Sequence, residues 1–98
     1  MKQYTITQLD RRHRGYTLFT HYITPVWSQK LEDKIKFFEW RTWCWTTWGP
    51  GMERDKAIEF GSNHYSVGLW AWHTEQGARR LYFRSERELS WFILKWSE

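Results

Sequence analysis

The chain has 98 residues, nine of them tryptophan and one cysteine, with a formal net charge of +4, which is enough for one hydrophobic core and too little for two, so residues 1–98 form a single domain. The lone Cys44 excludes an intrachain disulfide and a thiolate metal cluster, and no stretch approaches the roughly 20 apolar residues of a membrane span. Charged residues of both signs make up 27% of the chain, which argues against disorder, and the mild basic excess permits phosphate-bearing partners while excluding an acidic mimic of DNA.

Residues 3–9 are rich in β-formers, with Tyr4 and Ile6 alternating against Thr5 and Thr7, and predict a strand. A polar turn over 10–15 carries Arg11, Arg12 and Arg14, and residues 16–23 predict the returning strand of a hairpin. Thr24-Pro25 marks a helix start, proline being tolerated at the first helical position. From there Trp27, Leu31, Ile35 and Phe38 recur at steps of four, four and three, one apolar stripe, with Lys30, Asp33, Lys34 and Lys36 on wetter faces. The helix is expected to run to about Trp48, where Gly49-Pro50-Gly51 stops it. In its second half Phe37, Trp40, Cys44 and Trp48 form a second stripe beside Phe38 and Trp45. A strand over Trp43-Cys44-Trp45 is the alternative, but the stripe continues in phase and no turn signal precedes Trp43.

Residues 52–62 read as a polar loop with a small apolar island at Ala57, Ile58 and Phe60. Residues 64–73 predict a strand with Tyr65, Val67, Leu69, Ala71 and His73 on one face and Trp70 and Trp72 on the other. Residues 74–77 predict a turn, and 79–84 the return strand, in which Leu81 and Phe83 face opposite to Tyr82. Ser85-Glu86-Arg87-Glu88 is a capping box, after which Leu89, Phe92, Ile93 and Trp96 fall at the spacing of an amphipathic helix. The order is ββαββα, which predicts an α+β fold: a four-stranded, mainly antiparallel sheet with two helices on one face.

The closing Leu-Tyr-Phe-Arg-Ser-Glu-Arg-Glu-Leu-Ser-Trp-Phe-Ile-Leu-Lys-Trp, together with the tyrosine-containing first strand and the tryptophan-containing helix that ends in glycine, resembles small uncharacterised accessory proteins of tailed bacteriophages. Those often end in an aromatic strand and a helix of the form Phe-x-Leu-x-Trp, matched by Phe92, Leu94 and Trp96. The resemblance implies action in the cytoplasm of an infected bacterium and implies no chemistry, so it assigns no site residue. Independently of it, the absence of an apolar leader after Met1 and the lone thiol fit a soluble, cytoplasmic protein.

Signatures of common enzyme classes are missing: no Gly-x-Ser-x-Gly elbow, no phosphate-binding glycine loop and no His-Glu-x-x-His helix. His13, His21, His64 and His73 show no chelating spacing, so no metal or cofactor is expected. Cys44 lies among aromatic residues and reads as a small core residue rather than a nucleophile. Glu53, Asp55 and Glu59 are expected on a solvated loop; an enzyme acting on a nucleotide would need them to face an aromatic cleft.

The remaining signal joins rings to cations. Trp70, Trp72 and Tyr82 are expected to stack on bases, Arg79, Arg80 and Arg84 to hold phosphate, and Arg11, Arg12 and Arg14 to widen the electrostatic footprint. This points to a non-enzymatic nucleic-acid or nucleotide binder. The alternative is a phage-encoded inhibitor that docks on a host protein through its aromatic patch. Trp40, Trp43, Trp45 and Trp48 are expected to meet a second copy in a homodimer.

Overall fold

A computed structural model describes residues 4–26, 30–63, 67–74 and 79–96. Its elements in chain order are β1 (Tyr4–Gln8), β2 (His21–Pro25), α1 (Lys30–Trp48), β3 (Met52–Glu53), α2 (Arg54–Ser62), β4 (Trp70–His73), β5 (Arg80–Phe83) and α3 (Glu86–Trp96). The α+β class holds, and the order contains a short strand and a helix that the sequence reading leaves out. The five strands form one sheet in the order β1-β2-β5-β4-β3, antiparallel except for β3, which lies parallel to β4. Among the described residues no helix is long and apolar enough to cross a membrane.

Strand alternation sends two sets of side chains to opposite faces. Tyr4, Ile23, Trp70, Leu81 and Phe83 meet Phe37, Trp40 and Cys44 of α1 and Leu89 and Phe92 of α3 in the larger core. Phe92 is its hub, with the rings of Tyr4, Trp40, Trp43, Phe83 and Trp96 all within 6.3 Å. Phe19, Ala57, Ala71 and Tyr82 form a smaller core on the other face, covered by α2 and by the segment between β1 and β2. Two helices therefore share one face, as expected, and a third covers the face that a two-layer fold would leave open.

Four expectations are corrected. The segment 16–20 is not strand: Leu18 and Phe19 both donate to the carbonyl of Gly15, whose φ of 85° permits the turn, and this tucks Phe19 into the second core. Pro25 ends β2 opposite Tyr4 rather than opening the helix; the ladder with β5 extends only from His21 to Ile23, so its missing N–H costs no bond there. The stretch 52–62 is β3 and α2 rather than loop, and its inward face is Arg54, Ala57, Ile58 and Gly61, helical spacing on residues too small or too polar to stand out. The strand expected over 64–73 is confined, within the described residues, to Trp70–His73. Trp27, Tyr65 and most of the turn expected over 74–77 lie outside the described residues.

The helical reading of Trp43-Cys44-Trp45 is correct, but the inward stripe is Phe37, Trp40 and Cys44, while Ile35 and Phe38 face outward. Gly49, at φ 87°, closes α1 by donating to the Trp45 carbonyl. Ser85 and Glu88 meet before α3 as the box requires, but through their side chains and not through the backbone amides, the Ser85 hydroxyl donating to a Glu88 carboxylate oxygen at 2.7 Å.

Candidate anion-binding site

On the face of the sheet that α2 covers, β2 and β5 place Tyr22 directly opposite Tyr82, with ring centroids 5.2 Å apart. Two arginines converge on this pair from different elements. Arg80, two residues before Tyr82 on β5, reaches the same face, lays its guanidinium over the Tyr22 ring at 4.5 Å and donates to the Tyr82 hydroxyl at 3.4 Å. Arg54, at the start of α2, is buried and donates to that same oxygen at 3.1 Å. Arg54 is neutralised by Asp55, whose carboxylate also accepts from Arg14 at 3.2 Å. Burial pushes the Asp55 carboxyl up, but Arg54 and Arg14 outweigh it and hold it below the usual carboxylate range.

Glu53 fixes the floor of the site. One carboxylate oxygen accepts from the amides of Asp55 and Lys56 and so caps α2, and the other contacts Nδ1 of the mostly buried His73 at 3.1 Å. Glutamate is an unusual capping residue, so none of the customary cap types announces this helix in the sequence. The parallel β3–β4 pairing sets Glu53 beside Trp72 and so next to His73. Ligand atoms of Glu53, Asp55 and His73 all lie within 4.8 Å of one another, a spacing that can accept a cation. Asp55 is already engaged by two guanidinium groups, and Arg80 lies close by; together they oppose added positive charge.

The local charge is more compatible with an anion: among the described residues Arg14, Arg54 and Arg80 gather around Glu53 and Asp55, and no carboxylate pairs with Arg80. Arg80 is thus held by a ring and a phenol, beside a second guanidinium on the same phenol. His13 adds a further ring at the edge, 6.1 Å from Tyr22.

The structure sorts the sequence-derived ligand residues into separate places. Trp70 and Trp72 belong to the opposite face, under α1: Trp70 is 1% exposed and donates to the Gly49 carbonyl at 3.0 Å, while the Arg41 guanidinium covers Trp72 at 4.4 Å. Tyr82 is also 1% exposed, so its hydroxyl and not its ring face serves the site. Arg84 reaches the Gly68 carbonyl at 3.5 Å, toward the far end of β5, and Arg79 is half-buried just before that strand. Arg11 and Arg12 are exposed on the segment beyond Arg14. Arg12 pairs with Asp10 at 2.9 Å, and its hydrogen bonds hold the Asp10 carboxyl far below its usual range. Thus Arg14, Arg80 and Tyr82 are linked at the site through Asp55 and Arg54, with Tyr22, His13 and His73 beside them, which no local spacing assigns there. His64 lies outside the described residues.

Of the four tryptophans expected at a subunit contact, Trp40 is fully buried, and Trp43 and Trp48 pack edge-to-face at 5.0 Å against the larger core; Trp45 alone is half-exposed. Comparisons with protein-family models, with curated proteins and with solved structures return no match. The phage resemblance therefore rests on its own residues, of which Phe92 and Trp96 pack in the core and Leu94 points outward.

Proposed function

We propose that this protein is a non-enzymatic binder of nucleic acid or of a nucleotide, acting in the cytoplasm and engaging phosphate through Arg80 with Arg14 and Arg54. The observation that carries the reading is the guanidinium of Arg80, fixed flat on Tyr22 and hydrogen-bonded to Tyr82 with no carboxylate partner among the described residues. Arginine presented in this way suits phosphate better than a flexible lysine does, because its planar fork is already oriented. Exposed Arg11 and the exposed ring of Tyr16 lie on the adjoining segment and extend the surface with one charge and one stacking face.

The test is fluorescence anisotropy of labelled single-stranded DNA and RNA, with competition by a nucleotide panel, between about 50 and 300 mM salt. Saturable binding that weakens with salt is expected. The double substitution Arg14→Gln/Arg80→Gln should lower the slope of log K against log salt by about 0.7–0.9 for each phosphate that is no longer neutralised. Trp70→Phe, on the other face, should leave the slope unchanged. Absence of saturable binding at low salt, or a slope unmoved by the arginine changes, defeats the reading. A second reading, a protein-binding factor, has support in the exposed rings of Phe38, Trp45 and Trp91.

A further inference from the structure

The outward face of α1 carries a repeat that the core does not use. Ile35, Phe38, Thr42 and Trp45 follow one another at steps of three, four and three, and the three apolar members are 53%, 69% and 52% exposed. A spacing that alternates three and four is that of a helix-pairing seam, and in the sequence Leu31 occupies the preceding position of the same repeat. The residues turned toward the sheet, Phe37, Trp40 and Cys44, lie on the opposite side of the helix, so seam and core do not compete.

The charges beside the seam are ordered. Lys34 and Arg41 precede the Ile35 and Thr42 positions, while Glu39 follows the Phe38 position. One flank thus carries the exposed Lys34, with Arg41 turned over Trp72, and the other carries Glu39, which Lys36 of the same helix also meets at 3.4 Å. Two copies of such a helix laid antiparallel bring the Lys34 flanks together and the Glu39 flanks together. Laid parallel, they bring Lys34 of each copy against Glu39 of the other. Depressions lie on both sides of the Phe38–Thr42 line. One of about 220 Å³ extends to Trp45 and Trp70, and one of about 450 Å³ to Trp43 and Trp96, so hollows flank the seam on either side.

From this arrangement we infer that α1 is the self-association surface of the protein, pairing in parallel with α1 of a second copy about a two-fold axis. The apolar area that Ile35, Phe38 and Trp45 leave open is about 350 Å² per copy, taking a large side chain as roughly 150–250 Å². Both copies together bury about 700 Å² of apolar surface, to which the flanking Lys34, Glu39, Arg41 and Thr46 add a polar rim. That apolar total lies well below the range of stable interfaces, about 1,200–2,000 Å². The pairing is therefore reversible, with half-dissociation in the micromolar range, and helped by a helix already fixed on its own domain.

Sedimentation equilibrium on the full chain from about 1 to 500 µM tests it. The mass should rise from 12.2 kDa toward twice that value with concentration. Phe38→Glu should weaken association at least tenfold while circular dichroism and the urea midpoint show a folded monomer. Lys34→Glu should weaken it because each new glutamate then faces Glu39 of the other copy. The double swap Lys34→Glu/Glu39→Lys should restore it, and this restoration separates parallel pairing from a merely hydrophobic contact. A chain that stays monomeric at 500 µM overturns the inference, including the case where it binds a different protein through Phe38. A dimer indifferent to Phe38→Glu, or one the double swap does not restore, also overturns it. Nucleic-acid affinity at Arg80 is read separately and stands or falls on its own.

Discussion

Gly51 and Gly61 present the same substitution in two surroundings, and the structure assigns them opposite outcomes. A Cβ added at Gly51 would lie 2.5, 2.8 and 2.8 Å from Cε2, Cδ2 and Cζ2 of Trp70, where unstrained carbons keep about 3.5–4.0 Å. The indole is rigid and cannot withdraw: Trp72 flanks it at 5.5 Å, Trp45 at 6.5 Å, and its Nε1 is bonded to the Gly49 carbonyl. Overpacking of this kind costs about 1–3 kcal/mol, and breaking the indole hydrogen bond adds about 0.5–1.5 kcal/mol. Gly51→Ala should therefore lower stability by about 2–4 kcal/mol. At Gly61 the added Cβ meets Cδ1 and Cδ2 of Leu18 at 2.9 Å, the movable end of a half-buried side chain. There the helix gains up to about 1 kcal/mol from alanine, which offsets the adjustment. Urea unfolding followed by tryptophan fluorescence measures both. In heat, the Gly51 variant should melt roughly 10–30 °C lower, at about 4–8 °C per kcal/mol for a domain of this size. A Gly51→Ala protein within about 0.5 kcal/mol of the parent, or a Gly61→Ala protein equally destabilised, would refute the steric argument.

Cys44 is fully buried and burial pushes its thiol well above the ordinary range, so it should resist a thiol-reactive dye at pH 8 in buffer and react fully in denaturing urea; rapid labelling of folded protein would contradict its place in the core. Asp55 has a folded pKa below the unfolded one, so its contribution is present above about pH 4 and is lost as pH falls through the lowered value. The gap in urea midpoint between the parent and Asp55→Asn should accordingly be larger at pH 5 than at pH 2.5, and an equal gap would mean the Arg54 and Arg14 contacts do not stabilise. Tyr82→Phe removes the acceptor shared by Arg54 and Arg80 and leaves the buried Arg54 short of a partner, for a drop of about 1–3 kcal/mol in unfolding free energy and a weaker salt slope in nucleic-acid binding. Unchanged stability in that variant would show the phenol to be dispensable.

Much of the framework can be read directly from local pattern. The amphipathic spacing of Leu89, Phe92, Ile93 and Trp96, the Ser85/Glu88 pairing and the opposite parity of Tyr82 against Leu81 and Phe83 all reappear in three dimensions. Periods of two and 3.6 are properties of the chain alone, and they fix which residues share a side of an element. They leave open which side turns inward. Trp70 and Trp72 share a face in the sequence reading as in the structure, but only the docking of α1 and α3 makes that face part of the larger core. α1 is the sharper case, because it carries two apolar stripes of comparable strength. The sheet and α3 take Phe37, Trp40 and Cys44, and they leave Ile35, Phe38 and Trp45 outside.

The candidate site is the least legible part, because its members come from separate segments. Arg14, Tyr22, Arg54, Asp55, His73 and Arg80 span 67 positions of sequence from first to last and carry no spacing that links them. Composition determined the aromatic-rich core and the basic excess, and local periodicity the α+β class, since burial demand and charge follow from residue types and element type from their spacing. Tertiary structure alone decided which of those cations and rings come together. The β2–β5 register set Tyr22 against Tyr82, α2 brought Arg54 over them, and the parallel β3–β4 pairing set Glu53 beside His73. Contacts between distant segments are selected by the packing of the whole chain, and no local pattern records them.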